Sequence, residues 1–368
     1  MTSEKELRQT PPMKAEMIED LRALVECESP TEDLAACRRV VELSAKIASK
    51  VVGTSAEVLE EKGRPVFWLG SKNPEVALLA HLDTVWPIGS FTPLWEVTGD
   101  VIRGPGTYDM KAGFIQALYA MKELDLTKVA LIGTTDEETG SATSRELIEN
   151  VSKKARAVLV LESAIDEKVK IGRKGTSMYT ITLHGRAAHA GLEPEKGINA
   201  TIEMAKIVET LGTFADPSQG TSVVPTVLKS GTTTNTVPAL ATLEVDSRSY
   251  SMKEMERVRA SIYSLKATHP EAKIEVTGGI NRPPLEESAT TELYQLSEEV
   301  AKELGMPPLG AASVGGASDG NFAGQFTKVL DGLGAVGSGA HAVTENINAA
   351  DLEPRARLLA GLVKAILK

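Results

Sequence analysis

Glu75-Val-Ala-Leu-Leu-Ala-His81-Leu-Asp83-Thr-Val85 is the stretch on which the fold turns. It opens as a short, continuous apolar run, the mark of a strand buried on both faces of a sheet. It ends in a histidine and, two residues on, a carboxylate. The same form recurs twice. Val129-Ala-Leu-Ile-Gly-Thr-Thr135 is followed by Asp136-Glu137-Glu138, and Ala157-Val-Leu-Val-Leu161 by Glu162. Helical patterns lie between these runs, at 112–124 and 143–151. Earlier helices are read at 14–28 and 33–50, separated by Ser29-Pro30-Thr31. Strand alternating with helix predicts an α/β domain with a mainly parallel sheet.

The pattern changes near Gly175. Met178-Tyr-Thr-Ile-Thr-Leu-His184 alternates with period two, as a half-exposed strand does. A helix is expected from about 195 to 212, strands at 221–228, 240–245 and 273–276, and a helix at 253–266. This α+β block ends near Asn281-Arg-Pro-Pro284. Helices near 289–304 and 351–367 then flank a Gly-rich stretch and a short strand at 327–330. The expected organisation is an α/β domain over 1–174 and 285–368, interrupted by an inserted α+β domain over 175–284. The first dozen residues read as a flexible arm.

The bulk numbers bound the function. The chain has 368 residues and a formal net charge of -10. No Lys/Arg-rich run stands out, which argues against nucleic acid and against an anionic membrane as partners. No apolar run reaches the ~18 residues of a membrane span. Cys27 and Cys37 are too few for a disulfide scaffold. The polar N-terminus lacks an apolar core such as a secretory signal carries. A cytoplasmic location is expected.

Chemistry-bearing residues collect where the strands end. His81 can bind a metal through one ring nitrogen while Asp83 accepts from the other, which sets the tautomer. The plainer alternative is a strand-terminal histidine with an ordinary hydrogen bond. Gly104-Pro-Gly-Thr-Tyr-Asp109-Met-Lys-Ala-Gly113 puts a carboxylate in a Gly-rich turn before a helix, where it can bridge two cations or cap the helix. Asp136-Glu137-Glu138 crowds like charges that cations would compensate, or else forms a solvated acidic loop. Glu162 and, far along the chain, His341 in Gly337-Ser-Gly-Ala-His341 complete a nitrogen and oxygen donor set that zinc accepts.

The order of these motifs resembles the co-catalytic di-zinc exopeptidase and amidohydrolase family. That family includes glutamate carboxypeptidases, succinyl-diaminopimelate desuccinylases, acetylornithine deacetylases and aminoacylases, and the look is closest to glutamate carboxypeptidase. The resemblance runs from about residue 15 to the C-terminus. It implies that His81 and Glu162 hold one zinc, that Glu138 and His341 hold the other, and that Asp109 bridges them. It implies Glu137 as general base, Asp83 as the carboxylate behind His81, and a cis peptide bond after Asp109.

The resemblance extends through the inserted block. Gly185-Arg-Ala-Ala-His189-Ala-Gly191 resembles the segment that brings a lid histidine, here His189, to the developing oxyanion. Asn235 and Arg248 resemble lid residues that bind the substrate's carboxylate or carbonyl. Gly315 and Gly316, in Gly315-Gly-Ala-Ser-Asp-Gly320, resemble a loop whose amides approach that carboxylate. A homodimer through the lid is implied, with two Zn2+ per subunit and Co2+ or Mn2+ as substitutes. The implied substrate is a small N-acyl amino acid or dipeptide, with an N-acyl-amino-acid deacylase or desuccinylase as the rival activity. From another class, a non-catalytic binding protein of the same fold would have lost a ligand or Glu137, and none is lost. Gly315–Gly320 is not a nucleotide-binding P-loop, because no Lys-Ser/Thr follows it. Arg173 and Lys174, in Gly172-Arg-Lys-Gly175, are read as a domain hinge or an attractor of anionic substrate.

Overall fold

The computed structural model describes residues 12–368. The arm expected over the first dozen residues lies outside them, except that Pro12 already begins a helix. In chain order the strands are β1 (Glu57–Glu61), β2 (Arg64–Gly70), β3 (Val76–His81), β4 (Glu96–Thr98), β5 (Val101–Arg103), β6 (Val129–Thr134), β7 (Ala157–Val160), β8 (Val169–Arg173), β9 (Gly175–His184), β10 (Ser222–Ser230), β11 (Leu240–Ser249), β12 (Lys273–Arg282), β13 (Ala311–Val314), β14 (Lys328–Leu330), β15 (Gly337–Ser338) and β16 (Asn346–Asn348). The helices are α1 (Pro12–Glu26), α2 (Leu34–Val52), α3 (Ala112–Met121), α4 (Arg145–Ser152), α5 (Ala200–Gly212), α6 (Met252–Tyr263), α7 (Thr291–Glu303), α8 (Gly320–Ala323) and α9 (Leu352–Ile366). The chain divides into two compact units. One holds the chain up to Ile171 with 287–313 and 318–368, and the other holds 172–286 with 314–317.

The first unit is built on a sheet in the order β1-β2-β6-β3-β7-β14. Strands β6, β3, β7 and β14 run parallel. Strands β1 and β2 form an antiparallel hairpin added at the β6 edge. Every residue of β3, β6 and β7 is buried, as continuous apolar runs require when both faces are covered. The core joins sheet residues Leu78, Leu131 and Leu159 to α1, α2, α3 and α9 through Leu21, Val40, Phe114 and Leu359. Register places the functional ends together. His81 lies opposite Thr134, and Leu79 opposite Val160. The acids that follow Thr134 and Val160 therefore emerge at the same edge as His81, where open parallel sheets collect their chemistry.

The second unit is an antiparallel sheet in the order β10-β11-β9-β12. Tyr179, Ile181 and Leu183 of β9 point inward with Leu243 and Val245 of β11, against Met204 and Ile207 of α5 and Val258 and Ile262 of α6. Met178, just before them in the strand, is exposed. The period-two reading of this strand is reproduced.

Several expectations differ in detail. The hairpin of β1 and β2 has no counterpart among the expected strands. The helix expected from 195 starts at Ala200, because Pro194–Lys196 is a separate turn, Gly197 is extended, and the Asn199 side chain accepts from Thr201 N and Ile202 N. Strand β12 runs to Arg282, beyond the expected Val276. Residues 314–317, expected with the catalytic part, group with the second unit. Lys174 N donates to Val314 O at 3.1 Å, and Arg173 to Gly316 O at 3.2 Å. Among the described residues no helix is long and apolar enough to cross a membrane.

Candidate metal centre

His81 is the last residue of β3 and is buried. Its Nδ1 lies 3.0 Å from the Asp83 backbone oxygen and 3.5 Å from the Asp83 carboxylate. The carbonyl, rather than the expected carboxylate, is thus the nearer acceptor. The Asp83 carboxylate turns its other oxygen to Thr31 Oγ1 at 2.7 Å and Glu138 N at 3.3 Å. It braces the acidic turn more than the imidazole. With Nδ1 so occupied, Nε2 faces Asp109 Oδ1 at 3.1 Å and Glu162 Oε1 at 3.8 Å.

Asp109 arrives on an irregular loop. Gly106 has φ of 68°, a conformation that glycine adopts without steric cost, and the Asp109–Met110 bond is cis, as the resemblance implied. The two carboxylate oxygens of Asp109 face different imidazoles. Oδ1 faces His81, and Oδ2 lies 3.4 Å from His341 Nε2. His341 Nε2 also lies 3.1 Å from Glu138 Oε2. Donor atoms of His81, Glu137 and Glu162 all fall within 4.8 Å of one another, and so do those of His81, Asp109 and Glu138. One imidazole stands with Glu162 at one oxygen of Asp109, and the other stands with Glu138 at the second.

Electrostatics show what this arrangement requires. Hydrogen bonds to Asp109 and Glu138 push His341 up to about 10. Burial pulls His81 down, but its bonds to Asp109 and Asp83 outweigh that and hold it well above the ordinary imidazole value. Burial raises Asp109, and the bonds from His341 and His81 reverse this, so that it lies well below the usual carboxylate range. Buried Lys170 adds one more positive charge, with Nζ 3.8 Å from Glu162 Oε2. Clustered carboxylates are costly without compensating charge. Without a metal, protons on the two imidazoles would supply it, on nitrogens that could instead ligate a cation. Two cations in their place satisfy the same acids, and the donor set of imidazole and carboxylate is one that zinc accepts. The residues present therefore fit a metal pair.

The remaining sequence-derived residues lie in the second unit. His189 is exposed, and its Nδ1 accepts from Gly191 N at 3.1 Å and Leu192 N at 3.2 Å. The proton of the neutral ring then sits on Nε2. Asn235 is beside it in the fold, its carbonyl accepting from Ala190 N at 2.9 Å. Arg248 on β11 donates to Asp246 Oδ1 at 3.0 Å and to Gly315 O at 3.4 Å. Gly315 and Gly316 thus present carbonyls to Arg248 and Arg173, and the space where a Cβ would stand is open at both. Arg173 is buried and pairs its backbone with Leu285. Lys174 Nζ lies 5.2 Å from the centre of the Tyr250 ring.

Sequence reasoning missed Glu345, Lys170 and Thr31. Glu345 is buried, and it takes hydrogen bonds from the Asp109 loop and from Trp86. Burial pushes its carboxyl up, and those donors pull it back. The acid sits in Ala342-Val-Thr-Glu345, a stretch whose spacing carries no signal.

The profile described as peptidase family M20/M25/M40 matches residues 77–365. Carboxypeptidase G2 from Pseudomonas sp. (strain RS-16) is 33% identical over 313 residues, covering 81% of this chain and 73% of its own. A succinyl-diaminopimelate desuccinylase from Dechloromonas aromatica is 25% identical, covering 92% of this chain and 95% of its own. Among solved structures, aminopeptidase PepT from Bacillus cereus superposes with a TM-score of 0.80 at 21% identity, covering 96% of this chain and 99% of its own.

Proposed function

This chain belongs to peptidase family M20/M25/M40, and on that premise we propose that it is a di-zinc hydrolase cleaving the amide bond of a small N-acyl amino acid or dipeptide-like substrate. The observation that carries the reading is the division of Asp109 between two imidazoles, each with its own glutamate. His81 and Glu162 would hold one ion, Glu138 and His341 the other, and Asp109 both. Such a pair, when bound, supplies Lewis acidity toward the scissile carbonyl and makes a water more acidic.

The chain's own residues carry the proton and orient the substrate. Glu137 takes a proton from the attacking water and delivers it to the leaving amine. Its place beside His81 and Glu162 supports that role. His189 donates from Nε2 to the carbonyl oxygen as negative charge grows there. The two amides that hold its Nδ1 support this tautomer. Arg248 and Asn235 bind the substrate's carboxylate or carbonyl, since a guanidinium suits a bidentate acceptor. Arg248 is oriented by Asp246, and the open space at Gly315 and Gly316 supports close approach of a ligand. The enzyme acts in the cytoplasm, with both cysteines as free thiols. It acts as a homodimer through the second unit, a reading supported by exposed Val224, Val227 and Leu228 on edge strand β10.

The cleaved bond follows the glutamate-carboxypeptidase pattern, with release of a C-terminal amino acid. The rival is deacylation of an N-acyl or N-succinyl amino acid, favoured by the near full-length match to a desuccinylase. A panel of N-acyl amino acids, N-succinyl amino acids and dipeptides, assayed for amine release with and without chelator, separates them. Chelator-sensitive cleavage of one class assigns the substrate. A metal-loaded protein that cleaves none of the three classes would contradict the proposal.

A further inference from the structure

Glu345 has no place among the residues assigned to the reaction, yet it has one of the most complete hydrogen-bond sets in the first unit. Its side chain is buried. Oε1 accepts from Tyr108 N at 3.0 Å and Asp109 N at 3.1 Å. Oε2 accepts from Gly106 N and Trp86 Nε1, each at 3.0 Å. Its backbone carbonyl accepts from Gly104 N at 3.3 Å, and its own N donates to Ala342 O at 2.8 Å. One residue thus joins three segments of the candidate centre. These are the stretch just after His81 and Asp83, ending at Trp86, the loop 104–109 that carries Asp109, and the turn that carries His341.

The turn at 106–111 is irregular, with non-helical dihedrals at Asp109 and Met110, and the amides of Gly106, Tyr108 and Asp109 find their acceptor in Glu345. Gly106 is at positive φ, and Asp109 has φ of -119° and ψ of 88°. The Glu345 carboxylate fills that role with four donors on two oxygens, which leaves no room for a donor of its own. We propose that Glu345 is a positioning residue that holds the Asp109 backbone so that its two carboxylate oxygens meet the two imidazoles, and that the affinity of the centre for metal depends on it. The proposal rests on the di-metal reading above. A cap that merely stabilised the fold would leave metal affinity untouched in any variant that folds.

The test compares wild type with Glu345→Gln and Glu345→Asp. Zinc affinity is read by chelator competition, and the visible absorption of the cobalt-substituted protein reports ligand geometry. Circular dichroism reports folding. Glutamine replaces one acceptor oxygen with an amide that faces N–H donors. Loss of a partner that orients a metal ligand typically weakens metal binding by about 10–100-fold. That loss, with a changed cobalt spectrum and retained secondary structure, is expected for Glu345→Gln. Glu345→Asp keeps the charge and both oxygens but withdraws them by one methylene, and an intermediate loss is expected. If Glu345→Gln does not fold, the aspartate variant decides alone. Wild-type affinity and an unchanged cobalt spectrum in the folded variants would overturn the proposal. A wild-type protein that binds no metal overturns the di-metal reading first, and the proposal with it.

Discussion

Gly113→Ala puts the coupling between helix packing and the candidate centre to a direct test. Gly113 lies at the start of α3, and an ideal Cβ there would stand 2.1 Å from Leu161 O, 3.2 Å from Leu161 C and 3.3 Å from Gly334 Cα. Carbon contacts normally lie at about 3.5–4.0 Å, so the helix start and the end of β7 must part by about 1 Å. All three obstructing atoms are backbone, so no side chain can swing aside. Leu161 directly precedes Glu162, and the displacement therefore reaches a candidate ligand. Overpacking of this kind costs about 1–3 kcal/mol. At about 2–4 °C per kcal/mol for a unit of this size, Tm should fall by about 2–12 °C. Calorimetry of the metal-free and zinc-loaded forms reads the change, and the loaded form should lose more, because a displaced Glu162 also weakens the stabilisation by bound metal. Gly212→Ala is the control, since nothing lies within 4 Å of its Cβ position. A Gly113→Ala protein with unchanged Tm in both forms and unchanged zinc affinity would refute the packing argument.

Three further outcomes are expected. Glu137→Ala should retain its metal content and lose about 10²–10⁴-fold in kcat, the range for a missing general base. Turnover within tenfold of wild type would remove Glu137 from that role. His189→Ala should likewise keep its metals while kcat falls by about 10²–10³-fold, as for loss of an oxyanion donor. An effect confined to KM would instead make it a binding residue. In the second unit, burial raises the Glu203 carboxyl, but bonds from Lys206, Thr268 and His269 outweigh this and hold it at about 2 against an ordinary 4.5. A folded value below the unfolded one stabilises above pH 4.5 and is lost as pH falls from there toward 2. Urea midpoints measured across that window should drop steeply in wild type and more shallowly in Glu203→Gln. Parallel profiles would show that Glu203 does not carry the acid sensitivity.

What could be read from the sequence follows from which elements are buried on both faces. Strands β3, β6 and β7 announced themselves because nothing polar interrupts them. The alternation of β9 was equally plain, since one face packs on helices and the other does not. Strand β1, Glu-Val-Leu-Glu-Glu, is a charged edge strand, and the turn after it uses Lys62 and Gly63 at positive φ instead of an Asn-Gly pair, so neither signalled a hairpin. The strands beside the centre, β4, β5, β15 and β16, are two or three residues long and too short to show a period.

The centre was legible as an inventory of residue types at strand ends, and the sheet register explains why those ends meet. Its supporting partners were not. Glu345 reaches Asp109 N across 236 positions of chain, and Thr31 reaches Asp83 across 52. Nothing local in sequence distinguishes either from an ordinary loop residue. The Asp83 carboxylate shares the imidazole nitrogen of His81 with its own backbone carbonyl, a competition that no residue type signals.

The most direct measurement of the central claim is the zinc content of the purified, dialysed protein by atomic emission, for wild type and for Asp109→Asn after identical zinc loading. Two equivalents per chain in wild type and fewer in Asp109→Asn are expected if one carboxylate serves both ions. One equivalent or none in wild type, or an unchanged two in Asp109→Asn, would contradict a centre bridged by Asp109.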